Sequence, residues 1–386
     1  MAVACSPLSM AELRSESILS EPSSAELSTV TRMQASMTAT AEPVAATPIS
    51  ATTEESTLAE IVREGLTRKA KQLPPWLFYD EAGSRLFDEI TQLPEYYLTR
   101  IERALFHAHA SEMIAAAAEG ERLRVIELGA GSADKTRTLL AATLGQQAIV
   151  DYLPVDVSAS ALEVACDRLE GELPAVRTMP VVADYTREWN LTANDSSERQ
   201  LLLWIGSSIG NFEPEDAEAL LRRINATMRP GDGLLLGVDL APCAGGKCVG
   251  ELLAAYDDEA GVTAQFNMNL LVRLNRELGA DFDTENFAHW AEWNERASRI
   301  EMHLESLREQ WVRFRDPSVE RDSGAQETGA LELDVHFAAG ERLHTENSYK
   351  YTLEAMSALL ERAGFPVSQK WTDEGEWFAV MLGRKA

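Results

Sequence analysis

From Arg122 onward, short apolar runs alternate with segments whose apolar residues recur at helical spacing. Leu123–Leu128 reads as a buried strand that runs into Gly129-Ala130-Gly131-Ser132. Lys135–Leu144 reads as a helix, Val150–Val157 as a strand holding Asp156 at its end, and Ser160–Leu169 as a helix. Val176–Val182 is the next strand, with Asp184 just beyond it. Leu201–Ile205 leads into Gly206-Ser207-Ser208-Ile209-Gly210-Asn211-Phe212. Pro214 and Glu215 open a helix to about Met228, and Gly233–Asp239 is a further strand. Apolar strands alternating with helices predict an α/β, doubly wound parallel sheet buried on both faces.

The pattern differs on either side of this block. Leu58, Ile61, Val62 and Leu66 fall on one helical face. Pro74 and Pro75 forbid a regular helix through Leu73–Asp80, and Ser84–Thr91 is helical again. Thr99 is read as the N-cap of a long helix through about Ala118. After Ala244 the alternation stops. Helices are predicted near Glu251–Asp257 and Thr263–Glu277, strands near Ile300–Leu307, Gln310–Phe314 and Leu331–Phe337, and a polar loop over Asp316–Thr328. A helix at Thr352–Ala363 ends at Gly364, which suits a C′ position. Val367–Thr372 and Trp377–Gly383 then form a hairpin. Residues 57–104 and 247–350 are therefore expected to form a discontinuous α+β substrate-binding domain. Residues 105–246 and 351–386 form the sheet domain. Residues 1–56 lack any aromatic residue and are rich in Ala, Ser, Thr and Glu, so they are read as a disordered tail with a short helix near Met10–Leu19.

Composition narrows the function classes. The 386 residues include 35 Lys and Arg against 62 Asp and Glu, a formal charge of −27. A polyanion would be repelled, so nucleic acid and anionic membrane surfaces are poor partners. No apolar run reaches the roughly 18–20 residues of a membrane span, and no secretory or transit signature opens the chain. The expectation is a cytoplasmic protein that handles a small molecule. Cys5, Cys166, Cys243 and Cys248 form no disulfide framework, and neither they nor the six histidines show metal-ligand spacing. No metal is expected.

Candidate chemistry gathers at the strand ends. Gly129 and Gly131 allow a sharp turn and close approach of backbone to a ligand. The third glycine of a dinucleotide motif is replaced by Asp134, which disfavours a pyrophosphate grip and favours a cofactor without phosphates, S-adenosylmethionine. Asp156, 25 residues after Gly131, suits a ribose diol, and Asp184 suits an adenine amino group. A tight turn, a helix cap or a solvated loop end would explain each residue singly. Lys135 is either an exposed helix lysine or a cation for a ligand carboxylate.

Six strings are more specific: Phe78–Phe87 with Leu93–Arg100, Glu127–Lys135, Gly206–Phe212, Tyr256–Phe266, Ile300–Leu304 and Thr345–Tyr351. Together they resemble the histidine-specific Nα-methyltransferases, which make hercynine for ergothioneine biosynthesis. The resemblance runs from about residue 58 to the C-terminus. It implies a class I S-adenosylmethionine-dependent methyltransferase, Rossmann-like, working as a monomer on L-histidine bound between two domains. It places cofactor contacts on Gly129, Lys135, Asp156 and Asp184, with Tyr185 beside them. It places amino-acid head-group contacts on Tyr79, Asn211 and Tyr256, with Tyr96 and the Gly206 carbonyl at the reacting amine. Glu346 and Ser348 fall at the imidazole, and Phe266 and Met302 line the pocket. Asn347 and Tyr349 should face away, since strand side chains alternate.

These residue types suit the chemistry. Desolvation by Trp76, Phe78 and Phe266 would favour the neutral amine that methylation needs. Tyr96 orients that amine and is a candidate proton relay. Asn211 and Tyr256 are neutral donors for the carboxylate, and Glu346 accepts an imidazole N–H. The alternatives are the same methylation on another amino acid, such as a tryptophan derivative, and an inactive binding protein of the same fold.

Overall fold

The computed structural model describes residues 57–187, 198–243, 246–315 and 332–386. The tail reading of residues 1–56 and the polar loop over 316–328 lie outside them. The sheet is built from β1 (Leu123–Leu128), β2 (Val150–Asp156), β3 (Val176–Thr178), β4 (Val181–Val182), β5 (Arg199–Trp204) and β6 (Gly233–Asp239). The C-terminal pair β12 (Val367–Thr372) and β13 (Phe378–Arg384) completes it. The order is β12-β13-β6-β5-β1-β2-β3, with β4 paired to β2. All neighbours up to β6 run parallel, and β13 alone enters antiparallel, between β6 and β12. This is the Rossmann-like, doubly wound sheet expected.

Successive residues of a strand feed opposite faces. Leu201 and Leu203 pack into the core that holds α3 (Tyr97–Ala118), α4 (Thr136–Leu144) and α5 (Ala159–Glu172). Leu202 and Trp204 pack into a second core with α6 (Pro214–Thr227) and α9 (Leu353–Arg362). Burial on both faces explains why these strands read as continuous apolar runs rather than alternating ones. Gly364 lies just past α9 at φ 88°, the left-handed conformation that ends the helix.

The remaining elements are α1 (Leu58–Thr67), α2 (Glu81–Ile90), α7 (Val249–Ala254), α8 (Val262–Leu278) and strands β7 to β11. β11 (Arg342–Tyr349), β8 (Arg299–Ser306) and β7 (Phe287–Asn294) form an antiparallel sheet, and β10 (Leu333–Phe337) pairs with β9 (Gln310–Phe314). α8 packs on α2 and on the β7–β8 face. Leu77 and Phe266 belong to the same core as Leu139, so the described residues form one compact unit.

Four local readings change. The strand expected over Val176–Val182 is split into β3 and β4 around Pro180, which has no N–H for the ladder. α2 starts at Glu81, not Ser84, because the Asp80 carboxylate accepts from Gly83 N at 2.7 Å and caps it. Thr99 is not an N-cap: α3 starts at Tyr97, Thr99 is buried in its first turn, and the helix continues unbroken past residue 104. Burial of Tyr97 and Leu98 outweighs the capping preference there. β7 was not foreseen, because its residues are mostly half-buried and its Trp290 is exposed, which blurs the period-two pattern.

Candidate active site

The C-terminal ends of the parallel strands converge on one edge of the sheet, where open α/β sheets bind ligands. Gly129 leaves β1 at φ 66°, and its N–H bonds the Val155 carbonyl of β2 at 2.8 Å. The Asp156 carboxylate accepts from Gly131 N at 2.9 Å and from Ser158 N at 2.9 Å. Each oxygen thus bonds a backbone N–H and keeps a lone pair for a ligand. Asp184 accepts from Thr186 N at 2.9 Å and Thr186 Oγ1 at 2.6 Å, and pairs with Arg187 at 3.3 Å. Tyr185 lies beside the Gly129 turn, 3.8 Å from where a Cβ would stand. Its ring sits 6.2 Å from that of Trp204.

Lys135 is not a free cation on a helix end. Its Nζ lies 2.5 Å from the Glu102 carboxylate, which is fully buried and also accepts from Gly206 N at 2.8 Å. Gly206 and Ser207, at φ 78° and 61°, turn the chain sharply after β5. Gly237 on β6 makes room for this contact, since a Cβ there would stand 2.1 Å from Glu102 Oε1. The Lys135–Glu102–Gly206 bridge ties the cofactor edge to the adjoining cleft.

That cleft is open and holds about 560 Å³ of empty space, part of it continuous with solvent. Tyr79, Tyr96, Gly206, Asn211, Tyr256, Phe266, Met302, Glu346 and Ser348 all line it. The structure therefore brings together every residue assigned to the substrate from sequence, although they come from six separate stretches of chain. Two residues assigned to desolvate the amine do not line it. Trp76 lies under Arg273, 6.0 Å from ring to guanidinium, and Phe78 stands behind Phe266, their centroids 4.7 Å apart. Phe87 and Ile90 of α2 supply the apolar wall instead. The aromatic rings interlock edge to face: Tyr79 with Phe266 at 5.6 Å, Phe87 with Tyr96 at 6.2 Å, Tyr96 with Tyr256 at 6.4 Å.

Glu346 is the outlying group of the cleft. It is only 7% exposed and has no hydrogen-bond or ion-pair partner among the described residues. Burial pushes its pKa up to about 7, against the pull of the nearby Lys350 ammonium. Burial also raises the phenols of Tyr79, Tyr96 and Tyr256 well above their ordinary value. Tyr96 therefore keeps its proton near neutrality, which makes it a hydrogen-bonding orienter rather than a base. Asn347 and Tyr349 face the other way, as the alternation requires. Asn347 Nδ2 donates to Glu213 at 2.9 Å, and the Tyr349 hydroxyl donates to the same carboxylate.

Behind the cleft lies a buried ionic cluster that sequence reasoning missed. Asp239, at the end of β6, pairs with Lys247 and, at 2.6 Å, with Lys350; all three side chains are fully buried. Tyr97 Oη donates to Asp239 at 2.9 Å. Lys350 donates to Tyr256 Oη and to Ser348 Oγ, each at 2.8 Å, so the Ser348 hydroxyl is tied into this cluster as well as facing the cleft. A signal for Lys350 existed. Glu346, Ser348 and Lys350 alternate along one string and so share a face. Nothing in the sequence pointed to Glu102 or Lys247.

One group among the described residues brings metal-ligating atoms together: Glu292, Glu301 and His303, within 4.8 Å of one another on the β7–β8 face. Its carboxylates already accept from Arg342 at 3.0 Å, and from Arg299 at 2.7 Å and Asn294 at 2.8 Å. No helix among the described residues is long and apolar enough to cross a membrane.

Residues 58–385 match the family described as histidine-specific methyltransferase, SAM-dependent. The chain is 41% identical over 321 residues to a histidine N-alpha-methyltransferase of Mycolicibacterium smegmatis, covering 83% of this chain and 92% of that protein. It is 29% identical to the ergothioneine biosynthesis protein 1 of Neurospora crassa, covering 81% of this chain and 33% of that longer protein. It is 26% identical to an L-tryptophan methyltransferase of Psilocybe serbica, over 84% of this chain and 92% of that one.

Proposed function

The chain belongs to the histidine-specific, S-adenosylmethionine-dependent methyltransferase family, and on that premise we propose that it trimethylates the α-amine of L-histidine to hercynine, for ergothioneine biosynthesis. The observation that carries the substrate assignment is Glu346: a buried carboxylate facing the cleft with no partner of its own. An imidazole N–H would supply the missing donor. A side chain without one would leave the carboxylate unpaired, a strong basis for discrimination.

The residues at the sheet edge fit the cofactor. Asp134 stands where a pyrophosphate grip would need a glycine, and its carboxylate is held by Arg103 at 2.7 Å and Arg168 at 3.3 Å, so the glycine-rich approach a dinucleotide needs is missing there. Gly129, Asp156, Asp184 and Tyr185 would hold the nucleoside, with Lys135 at the amino-acid end. When bound, S-adenosylmethionine supplies an electrophilic methyl group for in-line displacement. The protein's own task is positioning.

Asn211 and Tyr256 hold the substrate carboxylate, and Glu346 and Ser348 hold the ring beside Met302. The Tyr79 and Tyr96 phenols and the Gly206 carbonyl orient the amine. The Phe87 and Phe266 walls keep water from it and disfavour the ammonium form. With the carboxylate and ring fixed, the amine can turn between three successive transfers. The oligomeric state proposed is a monomer. Residues 57–104 and 247–350 act as the substrate-binding domain, and 105–246 with 351–386 as the methyltransferase domain, in the cytoplasm.

A methyl-transfer assay with each of the twenty amino acids, read by mass spectrometry, tests this. L-Histidine should be converted to its trimethyl product fastest. Faster methylation of tryptophan would move the substrate to an indole amino acid, and no product with any amino acid would favour a binding protein.

A further inference from the structure

Two lysines share one carboxylate behind the cleft. Lys247 spends its protons on Asp239, on Tyr97 Oη at 2.8 Å and on the Trp377 carbonyl at 3.3 Å. Lys350 spends its three on Asp239, Tyr256 Oη and Ser348 Oγ. Burial lowers the pKa of both lysines, that of Lys247 to about 8, and the Asp239 carboxylate opposes this; with every donor position bonded, both count as ammonium groups. Burial works against the Asp239 carboxyl, yet Lys350 and Lys247 hold it below its ordinary range. The cluster therefore carries one positive charge more than Asp239 cancels, in a place water does not reach.

Hydrogen-bond counting shows what this does to the cleft. Tyr256 Oη and Ser348 Oγ lie 2.8 Å apart, so one donates to the other. Both already accept from Lys350, and an ammonium can only donate. The two hydroxyls hold two protons between them, and one is spent internally. One proton is left for the ligand.

We propose that Lys350 is a positioning residue for carboxylate recognition: it locks the Tyr256–Ser348 pair so that the single spare proton, polarised by the ammonium behind it, is presented by Tyr256 to the substrate's α-carboxylate. Ser348 then donates to Tyr256 and can only accept from the ring, so with Glu346 on one ring N–H the substrate binds as an imidazolium that donates through both nitrogens. The inference rests on the amino-acid substrate proposed above and adds how its charged end is chosen. An anion gains from the buried ammonium, whereas a ligand that lacks the carboxylate gains nothing from it.

The test is isothermal titration of L-histidine and of histamine, which has the same amine and ring but no carboxylate, in the presence of S-adenosylhomocysteine. The proteins are the wild type, Lys350→Met, Lys350→Gln and Lys247→Met. Removing either lysine leaves Asp239 paired one-to-one with the other, so folding should survive, and thermal unfolding checks it. Lys350→Met should weaken L-histidine about tenfold or more and histamine less than about threefold, so the preference for the carboxylate collapses. Lys350→Gln keeps donors and drops the charge. It should lose the preference too, and it carries the test if Lys350→Met does not fold. Lys247→Met also cancels the excess charge but keeps the Lys350 hydrogen bonds to Tyr256 and Ser348, so it should lower the ratio by clearly less than either Lys350 variant does. An unchanged ratio in both Lys350 variants, or an equal change in Lys247→Met, overturns the inference and leaves the proposed function standing. A wild type that does not bind L-histidine removes both.

Discussion

At the sheet edge, Asp156 bonds the backbone N–H groups of residues 131 and 158 through its two carboxylate oxygens. In the cleft, Glu346 has no hydrogen-bond or ion-pair partner among the described residues. In the proposed complex the two carboxylates would meet the cofactor and the substrate, and they are prepared in opposite ways. Asp156 is part-buried and held by the backbone of the loops on either side of it. Glu346 is buried in the cleft wall with no partner among the described residues, and burial raises its pKa to about 7. A preorganised acceptor adds grip at little expense to the fold. An unsatisfied one weakens the empty protein and discriminates sharply when the right donor arrives.

The largest effect should come from breaking the unsatisfied side. Glu346→Ala should weaken L-histidine binding by about 100-fold or more, because the imidazole N–H loses a charged, desolvated acceptor. S-adenosylhomocysteine binding should stay close to wild type; calorimetry with each ligand separates the two. Asp156→Ala should do the reverse, weakening S-adenosylhomocysteine by about 10- to 100-fold through lost charge-assisted hydrogen bonds. If both variants damaged both ligands equally, the contrast between edge and cleft would disappear.

A smaller effect concerns stability and its pH dependence. The folded pKa of Glu346 is raised to about 7 from an ordinary 4.5. Below pH 4.5 the group is neutral in both states and costs nothing. As pH rises toward 7 the unfolded chain ionises first, so the fold loses stability through this window and levels off above it. Glu346→Gln removes that loss. Its stability relative to wild type should rise between pH 4.5 and 7 by on the order of 2 kcal/mol, then stay flat. Glu127, also raised to about 7 by burial, is common to both proteins and cancels. Denaturant unfolding of the substrate-free proteins at pH 5, 6, 7 and 8 reads the difference. A pH-independent difference would mean that Glu346 is solvated.

The same division shows in what could be read before the fold was known. Strand ends marked by Gly129, Asp156 and Asp184 follow from local periodicity, and the cleft residues followed from string resemblance. Bonds that join distant stretches left no local trace. Glu102 meets Gly206 across 104 positions and Lys135 across 33, and only the packing of α3 against the sheet brings them together. Lys247 reads as an ordinary lysine in a glycine-rich turn until Asp239 is seen beside it. Thr99 was misread for a related reason: a good capping residue yields when burial of Tyr97 and Leu98 sets the start of the helix. Lys350 was legible at period two within Thr345–Tyr351, but a lysine on a buried face has meaning only once its counter-ion is known.

The most direct test is a crystal structure with S-adenosylhomocysteine and L-histidine bound. The imidazole N–H should lie within about 3 Å of the Glu346 carboxylate, with the α-carboxylate at Asn211 and Tyr256 and the amine facing the cofactor sulfur. An imidazole turned toward the sheet edge, with Glu346 still unpartnered, would contradict the role given to Glu346.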